Sequence, residues 1–255
     1  MQTPWLTRFF GNYSEASGQQ VQSLRQNFNF TLSYHSKSDF QIQEYSLENL
    51  KVDYEKKYNR SWTDPDIAGI FKRKKETLLA FLSNCHREYS SNQRQYQLKQ
   101  LKKTLGPKHM RFLGRCGSDS KISDDTTWKH QGENLKRRYK FFAAFENGQC
   151  DEYISEKLWE NALMHDSIPL VSGPKRECYE KVLPKNSFIH VDDYTTIGEL
   201  SEALKNIAGN YEEYQKFFQW RMDYSLRRLK NNFYGNHFFV FLRLLIVHRK
   251  NQICL

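Results

Sequence analysis

No stretch of this 255-residue chain comes near the roughly 18 consecutive apolar residues that span a bilayer. The longest apolar run, Phe238 to Val247, is short, is interrupted by Arg243 and reads as a core-facing helix. The N-terminus, Met1-Gln2-Thr3-Pro4-Trp5-Leu6, has neither the basic start nor the apolar stretch of a signal peptide, so as written the chain carries no membrane or secretion address. Its five cysteines, Cys85, Cys116, Cys150, Cys178 and Cys254, stand far apart and form no CxxC pair. That argues against a zinc site and leaves an odd thiol if disulfides form. None of the eight histidines has HExxH or paired-ligand spacing, and no metal site is expected. Neither GxGxxG nor GxxxxGK followed by Ser or Thr occurs, which disfavours a dinucleotide oxidoreductase and a P-loop nucleotidase. There is no internal repeat and no low-complexity segment.

What is present is positive charge and a foldable composition. Lys+Arg 39 against Asp+Glu 29 gives a formal +10, so an anionic partner is expected, although charge alone does not choose among nucleic acid, a membrane surface and a phosphorylated small molecule. Hydrophobic content of 38% with 15% aromatics suits a packed core rather than a disordered tail. Sequons at Asn12, Asn29 and Asn59 lean towards a lumenal setting, but such triplets also arise by chance.

The periodicity predicts an α/β protein with a parallel sheet. Residues up to about Tyr58 are irregular, with a plausible strand over Asn27 to Tyr34. From Thr77 the pattern sharpens. Leu78 to Leu82 reads as a buried strand, Ser83 to Gln93 as a polar loop, and the next segment as a helix through Tyr96, Leu98, Leu101 and Leu105 that Gly106-Pro107 ends. Met110 to Leu113 is the next strand, and residues 118 to 134 read as loop. Tyr139 to Phe145 (strand), a helix opened by Ser155 with Leu158, Trp159, Ala162 and Leu163 on one face, and Ile168 to Val171 (strand) form one βαβ unit. Phe188 to Val191 is a further short strand, followed by a helix with Thr196 and Glu199 as a capping box and Leu200, Leu204 and Ile207 as its apolar face.

In an open parallel sheet, ligands bind beyond the carboxyl ends of the strands. Two loops there are chemically rich: Ser83-Asn84-Cys85-His86-Arg87-Glu88-Tyr89, leading to Arg94, and Glu146 to Tyr153, leading to Glu156-Lys157. A diphosphate would find Arg94, Lys157 and two helix dipoles converging, with Glu156 beside it to accept hydrogen bonds from sugar hydroxyls. On spacing alone a solvated first helical turn is the more usual reading of such charges. Asp64-Pro65-Asp66 has DxD spacing, but it precedes the first sheet strand, and a helix-capping or loop role is expected for it.

The segment Tyr139-Lys140-Phe141-Phe142-Ala143-Ala144-Phe145-Glu146-Asn147, followed by Asp151-Glu152-Tyr153-Ile154-Ser155-Glu156-Lys157-Leu158-Trp159, resembles the α-1,3-fucosyltransferase motif of glycosyltransferase family 10. The resemblance continues through Ile168-Pro169-Leu170-Val171-Ser172-Gly173-Pro174, Tyr179, and Phe188 to Tyr194. Upstream it takes in Phe81 to Cys85 with Arg94 and Tyr96, Gly114-Arg115-Cys116-Gly117, and Phe30 to Tyr34 with Ser38-Asp39. It implies a GT-B-like fold with a complete C-terminal Rossmann-like donor domain (59–255) and a shortened N-terminal acceptor domain (1–58). The implied reaction is inverting transfer of L-fucose from GDP-fucose to a glycan hydroxyl, O3 of N-acetylglucosamine, on a glycoprotein or glycolipid at the lumenal side of the Golgi membrane. Ser83, Asn84, Arg94, Asn147, Tyr153, Glu156 and Lys157 fall at donor-site positions, and no divalent metal or other cofactor is required.

The same resemblance implies a membrane anchor and a fuller acceptor domain than precede Trp5 here, so the chain reads as truncated at its N-terminus. Glu15, in Ser14-Glu15-Ala16 where the family has Glu-Ser-Pro, is the carboxylate nearest the general-base position; an ordinary exposed glutamate is the other reading. Phe142 replaces a donor-contacting tyrosine, and Gln43-Glu44-Tyr45 replaces a PYG turn. A non-catalytic homologue that binds GDP-fucose is the alternative function. Nucleic-acid binding lacks a fold motif and is not expected.

Overall fold

Leu78 and Leu79, Phe141 and Phe142, and Leu170 and Val171 are adjacent apolar pairs in three successive strands, and neighbouring residues of a strand point to opposite faces. A strand built from such pairs has to be covered on both sides, as in a parallel sheet. The computed structural model describes residues 32–38, 40–41, 45–83, 91–119 and 132–224, all within one compact unit, Leu32–Leu226.

In chain order this unit contains a two-residue parallel ribbon, β1 (Leu32–Ser33) and β2 (Phe40–Gln41), and the helices α1 (Leu47–Tyr58) and α2 (Ile67–Arg73). Then come β3 (Glu76–Phe81), α3 (Ser91–Leu105), β4 (Met110–Leu113) and β5 (Tyr139–Phe145). A π-helix (Lys157–Ala162) running into a 3-10 turn (Leu163–His165) leads to β6 (Ile168–Ser172), α4 (Arg176–Val182), β7 (Ile189–His190), α5 (Ile197–Gly209), α6 (Tyr211–Gln215) and α7 (Gln219–Tyr224). The main sheet is five-stranded and wholly parallel, in the order β4-β3-β5-β6-β7. The chain therefore steps outward from β3 to β4, then returns across β3 to place β5 on its other side. That reversal is a topological switch point, and it opens a crevice at the carboxyl ends of β3 and β5.

The two faces bury different partners. Leu78, Ala80, Phe112, Phe141, Leu170 and Ile189 pack with Leu98, Leu101 and Leu105 of α3 and Leu200, Leu204 and Ile207 of α5. On the opposite face Leu79, Phe142, Ala144 and Val171 pack with Leu47, Leu50 and Tyr54 of α1, with Trp62, and with Leu158, Trp159, Ala162 and Leu163 of the π-helical segment. Thus α1, which the sequence assigned to the N-terminal portion, shares a core with the sheet.

Three local expectations need correction. The segment after Ser155 is π-helical rather than α-helical: the Leu163 amide reaches back to both Leu158 O and Trp159 O, so the turn is wider, while the anticipated apolar residues stay buried. Tyr96 is not on the buried stripe of α3 but is 63% exposed; the stripe runs through Arg94, Gln97, Leu98, Leu101 and Leu105, so the arginine lies on the inward side. At α5 Thr196 Oγ1 accepts the Glu199 amide (3.1 Å), but the Glu199 carboxylate accepts from Thr195 N (3.1 Å), so the reciprocal half of the capping box is displaced by one residue. Of the Asn27–Tyr34 segment residues 32–34 are described, and only Leu32–Ser33, β1, are strand, while Phe238 to Val247 lies outside the described residues.

At the amino-terminal edge of the sheet sits a buried polar cluster. Asp166, in the left-handed region at φ 56°, accepts Tyr54 Oη (2.9 Å), Arg221 Nη1 (2.8 Å) and Arg60 Nη2. Beside it Lys74 Nζ donates to Tyr139 O (2.7 Å), Ser167 Oγ (3.0 Å) and Lys136 O (3.1 Å), and burial pushes its ammonium down to about 7. Burial alone would raise the Asp166 carboxyl, but Arg221, Arg60 and Lys74 outweigh it and hold the group below its ordinary value. A carboxyl lowered on folding stabilises fully above its unfolded value, about 4, and loses that contribution as pH falls. Asp166→Asn keeps a residue that tolerates positive φ but strands the Arg221 guanidinium, which is 1% exposed. Denaturant titration is expected to show a loss of about 3–5 kcal/mol at pH 7, shrinking below pH ~4.

Candidate functional site: the crevice between β3 and β5

The first turns of α3 lie over the ends of β5 and β6 because polar side chains tie them there. Arg94 is 5% exposed, and its Nη1 donates to Phe145 O (3.4 Å) and to Asn147 Oδ1. Gln149 Nε2 donates to Gln93 Oε1 (2.8 Å), and Ser172 Oγ donates to Gln97 Oε1 (3.0 Å). The inward stripe of α3 is apolar where it meets the sheet and polar where it overhangs the strand ends. That change puts a guanidinium at the crevice.

The loop after β5 is held from the other side. Glu146 N donates to Ser172 O (2.7 Å), and Gly173 follows with a backbone so close that a Cβ there would lie 2.7 Å from Glu146 Cβ. The Glu146 side chain is fully buried. It accepts from Ser155 N (2.8 Å), Ser155 Oγ (2.8 and 3.0 Å) and Lys157 Nζ (3.1 Å). Lys157 Nζ also donates to Ser155 Oγ (2.7 Å) and stands 3.6 Å from Glu156 Oε1, whose side chain is half exposed. Arg94 and Lys157 therefore reach the end of β5 from two different elements, Arg94 of α3 at Phe145 and Asn147, and Lys157 of the π-helical segment at Glu146 between them.

Charge at the crevice follows from this packing. Burial lowers the Arg94 guanidinium from its ordinary value, an effect opposed by the nearby Glu146 and Tyr153. Burial, then Glu146 and Glu156, pushes the Tyr153 phenol up to about 12, so it remains a hydrogen-bond donor at neutral pH. Together the residues offer two cations, a phenol, an amide and a half-exposed carboxylate, a set suited to an anion carrying hydroxyl groups.

The remaining sequence candidates fall as follows. Ser83 is exposed at the end of β3, and its carbonyl accepts Arg115 Nε (2.9 Å) from the loop after β4. Asn84 and Glu15 lie outside the described residues. Phe142 is 2% exposed in the core, edge-on to Phe81 at 5.7 Å. Asp66 caps α2 by accepting the Gly69 amide (2.8 Å), as anticipated for the Asp64-Pro65-Asp66 segment. Among the described residues no group of three or more His, Cys, Asp and Glu side chains is arranged to hold a metal ion. Cys116 and Cys150 are disulfide-bonded, and Cys178 is a buried free thiol. The site candidates had not included Glu146. Its loop was identified, but its burial depends on Ser172-Gly173 and Ser155, which only the fold assembles.

The model for the C-terminal part of the glycosyltransferase family 10 fucosyltransferases matches residues 71–243. The chain belongs to this family. It is 32% identical to human alpha-(1,3)-fucosyltransferase 4 over 87% of its own length and 38% of the relative's. It is also 32% identical to human 3-galactosyl-N-acetylglucosaminide 4-alpha-L-fucosyltransferase FUT3, over 80% of this chain and 50% of the other. The chain thus spans half or less of the length of these family relatives. A crystal structure of an alpha1,3-fucosyltransferase with GDP aligns at a TM-score of 0.47 and 18% identity, covering 72% of this chain and 50% of that one.

A second device borders the crevice. Glu152, at φ 63°, accepts Ser36 N (2.6 Å), Ser36 Oγ (2.9 Å) and Lys181 Nζ (2.8 Å), while the rings of Tyr34 and Tyr153 meet at 5.4 Å. This clamps the turn between β1 and β2 onto the loop that carries Tyr153. Burial opposes ionisation of Glu152, but Lys181 and Ser36 overcome it and hold the carboxyl at about 2. In Glu152→Ala the Ser36 amide is expected to exchange hydrogen about 10-fold faster, the cost of a charge-assisted bond, while the global unfolding midpoint moves little.

Proposed function

We propose that this chain is the donor-binding part of an α-1,3-fucosyltransferase, which moves L-fucose from GDP-fucose, with inversion, to O3 of N-acetylglucosamine in the glycan of a glycoprotein or glycolipid. The observation that carries this reading is that Arg94 engages Phe145 and Asn147 while Lys157 engages Glu146 between them, at the switch-point crevice of a family member. Two cations from the first turns of two helical segments match a diphosphate, whose charge grows as the bond to fucose breaks.

In this mechanism Arg94 and Lys157 hold the diphosphate and stabilise GDP as leaving group, so charge compensation comes from the protein's own side chains. Asn147, oriented by Arg94, and the protonated Tyr153 supply hydrogen bonds to the donor, and Glu156 accepts from the fucose hydroxyls. Ser83 and Asn84 complete the donor site from the β3 loop. A carboxylate removes the acceptor hydroxyl's proton on the face opposite GDP, and Glu15 is the candidate. The reading extends to the lumenal side of the Golgi membrane, with anchoring as in the family. Disulfide bonds at Cys116 and Cys150 support an oxidising compartment of that kind.

Calorimetry with GDP, paired with a fucosyl-transfer assay on N-acetylglucosamine-containing acceptors, tests the proposal. Lys157→Ala and Arg94→Ala are each expected to weaken GDP binding about 10- to 100-fold, the range for a lost charge-assisted contact, and to abolish transfer. GDP binding without transfer to any acceptor selects the non-catalytic homologue. Absence of GDP binding by the wild-type chain rejects both.

A further inference from the structure

Glu146 is an expensive residue to place at an anion site. Its carboxylate is fully buried, its backbone is locked to Ser172, and it occupies space that Gly173 leaves by having no Cβ. Three donor groups already serve it: the Ser155 amide, the Ser155 hydroxyl and the Lys157 ammonium. An ammonium has three N–H bonds, and Glu146 and Ser155 Oγ take two of those on Lys157, leaving one for a ligand.

We propose that Glu146 is the internal counter-ion of the diphosphate site, a positioning residue that competes with the ligand's phosphates for Lys157 and so sets how tightly GDP is held. The inference rests on the donor-site reading above. With Glu146 ionised, Arg94, Lys157 and Glu146 sum to +1 rather than the +2 of the two cations alone, before the half-exposed Glu156, 3.6 Å from Lys157, is counted. Such a site attracts a nucleoside diphosphate sugar yet releases the more highly charged nucleoside diphosphate left after transfer. If Glu146 only supported the Ser155 turn, its removal would loosen the site and weaken every ligand.

The test compares the full chain with Glu146→Gln, which keeps the side chain's shape and its acceptor for the Ser155 amide but removes the charge. By calorimetry at two salt concentrations, Glu146→Gln is expected to bind GDP about tenfold more tightly, with a steeper salt dependence and unchanged weak binding of guanosine. In transfer assays KM and kcat are expected to fall together as GDP release slows. GDP binding that is equal or weaker in Glu146→Gln, with a wild-type chain that binds GDP, overturns the inference alone. No GDP binding by either protein overturns the site reading and the inference with it. Should Glu146→Gln lack a cooperative melt, Glu146→Asp runs the test: it keeps the charge but draws the carboxylate back from Lys157, and GDP is expected to bind about threefold more tightly; equal or weaker binding overturns the inference.

Discussion

The pairing of β3 with β5 is the constraint on which everything else depends. Leu79 lies in register with Phe142, and with those strands adjacent the loops that leave them must diverge, one towards α3 and the other towards the π-helical segment on the opposite face. A crevice between the loops is then unavoidable, and polar side chains there meet residues distant in the chain. The strand cores explain why this pairing holds: each presents large apolar side chains on both faces and has no stable place other than the middle of a covered sheet.

Buried charge is concentrated at the two ends of that sheet. At the amino-terminal edge Asp166 is surrounded by Arg221, Arg60, Tyr54 and Lys74, a set in which the carboxylate accepts from Tyr54, Arg60 and Arg221 while Lys74 turns to the Tyr139 and Lys136 carbonyls and Ser167. At the carboxyl-terminal edge Glu146 gathers Lys157 and Ser155, with Arg94 close by, and this set faces an opening. The chemistry is similar and the consequences differ. The first cluster ties Tyr54 of α1 and Arg221 of α7 to the start of β6, whereas the second leaves cation capacity for a ligand.

Much of the scaffold was legible from periodicity. The α/β class, the strands over Leu78–Phe81, Met110–Leu113, Tyr139–Phe145 and Ile168–Val171, and the helix faces at Leu98–Leu105 and Leu200–Ile207 follow from which residues are apolar. The inward position of Arg94 did not, because Tyr96 looks like part of an apolar stripe, while the real stripe turns polar where α3 passes the end of the sheet. The π-helical form of Lys157–Ala162 is a choice among backbone hydrogen bonds that side-chain spacing does not encode. Likewise, no spacing rule reveals that Cys116 and Cys150 are oxidised while Cys178 stays reduced. Glu146 was visible as a residue but not as a buried one. The specific assignments to fucose and GDP came from the family motif rather than from pattern.

The switch-point topology also bears on how the chain is made. As the polypeptide emerges from its N-terminus, β3, α3 and β4 can associate at once, but β3 keeps one edge unsatisfied until β5 arrives after a long intervening segment. During synthesis that edge is a template for illegitimate strand addition. A nascent chain halted before Tyr139 would have two of the five strands and no crevice, with the inner edge of β3 open to mispairing.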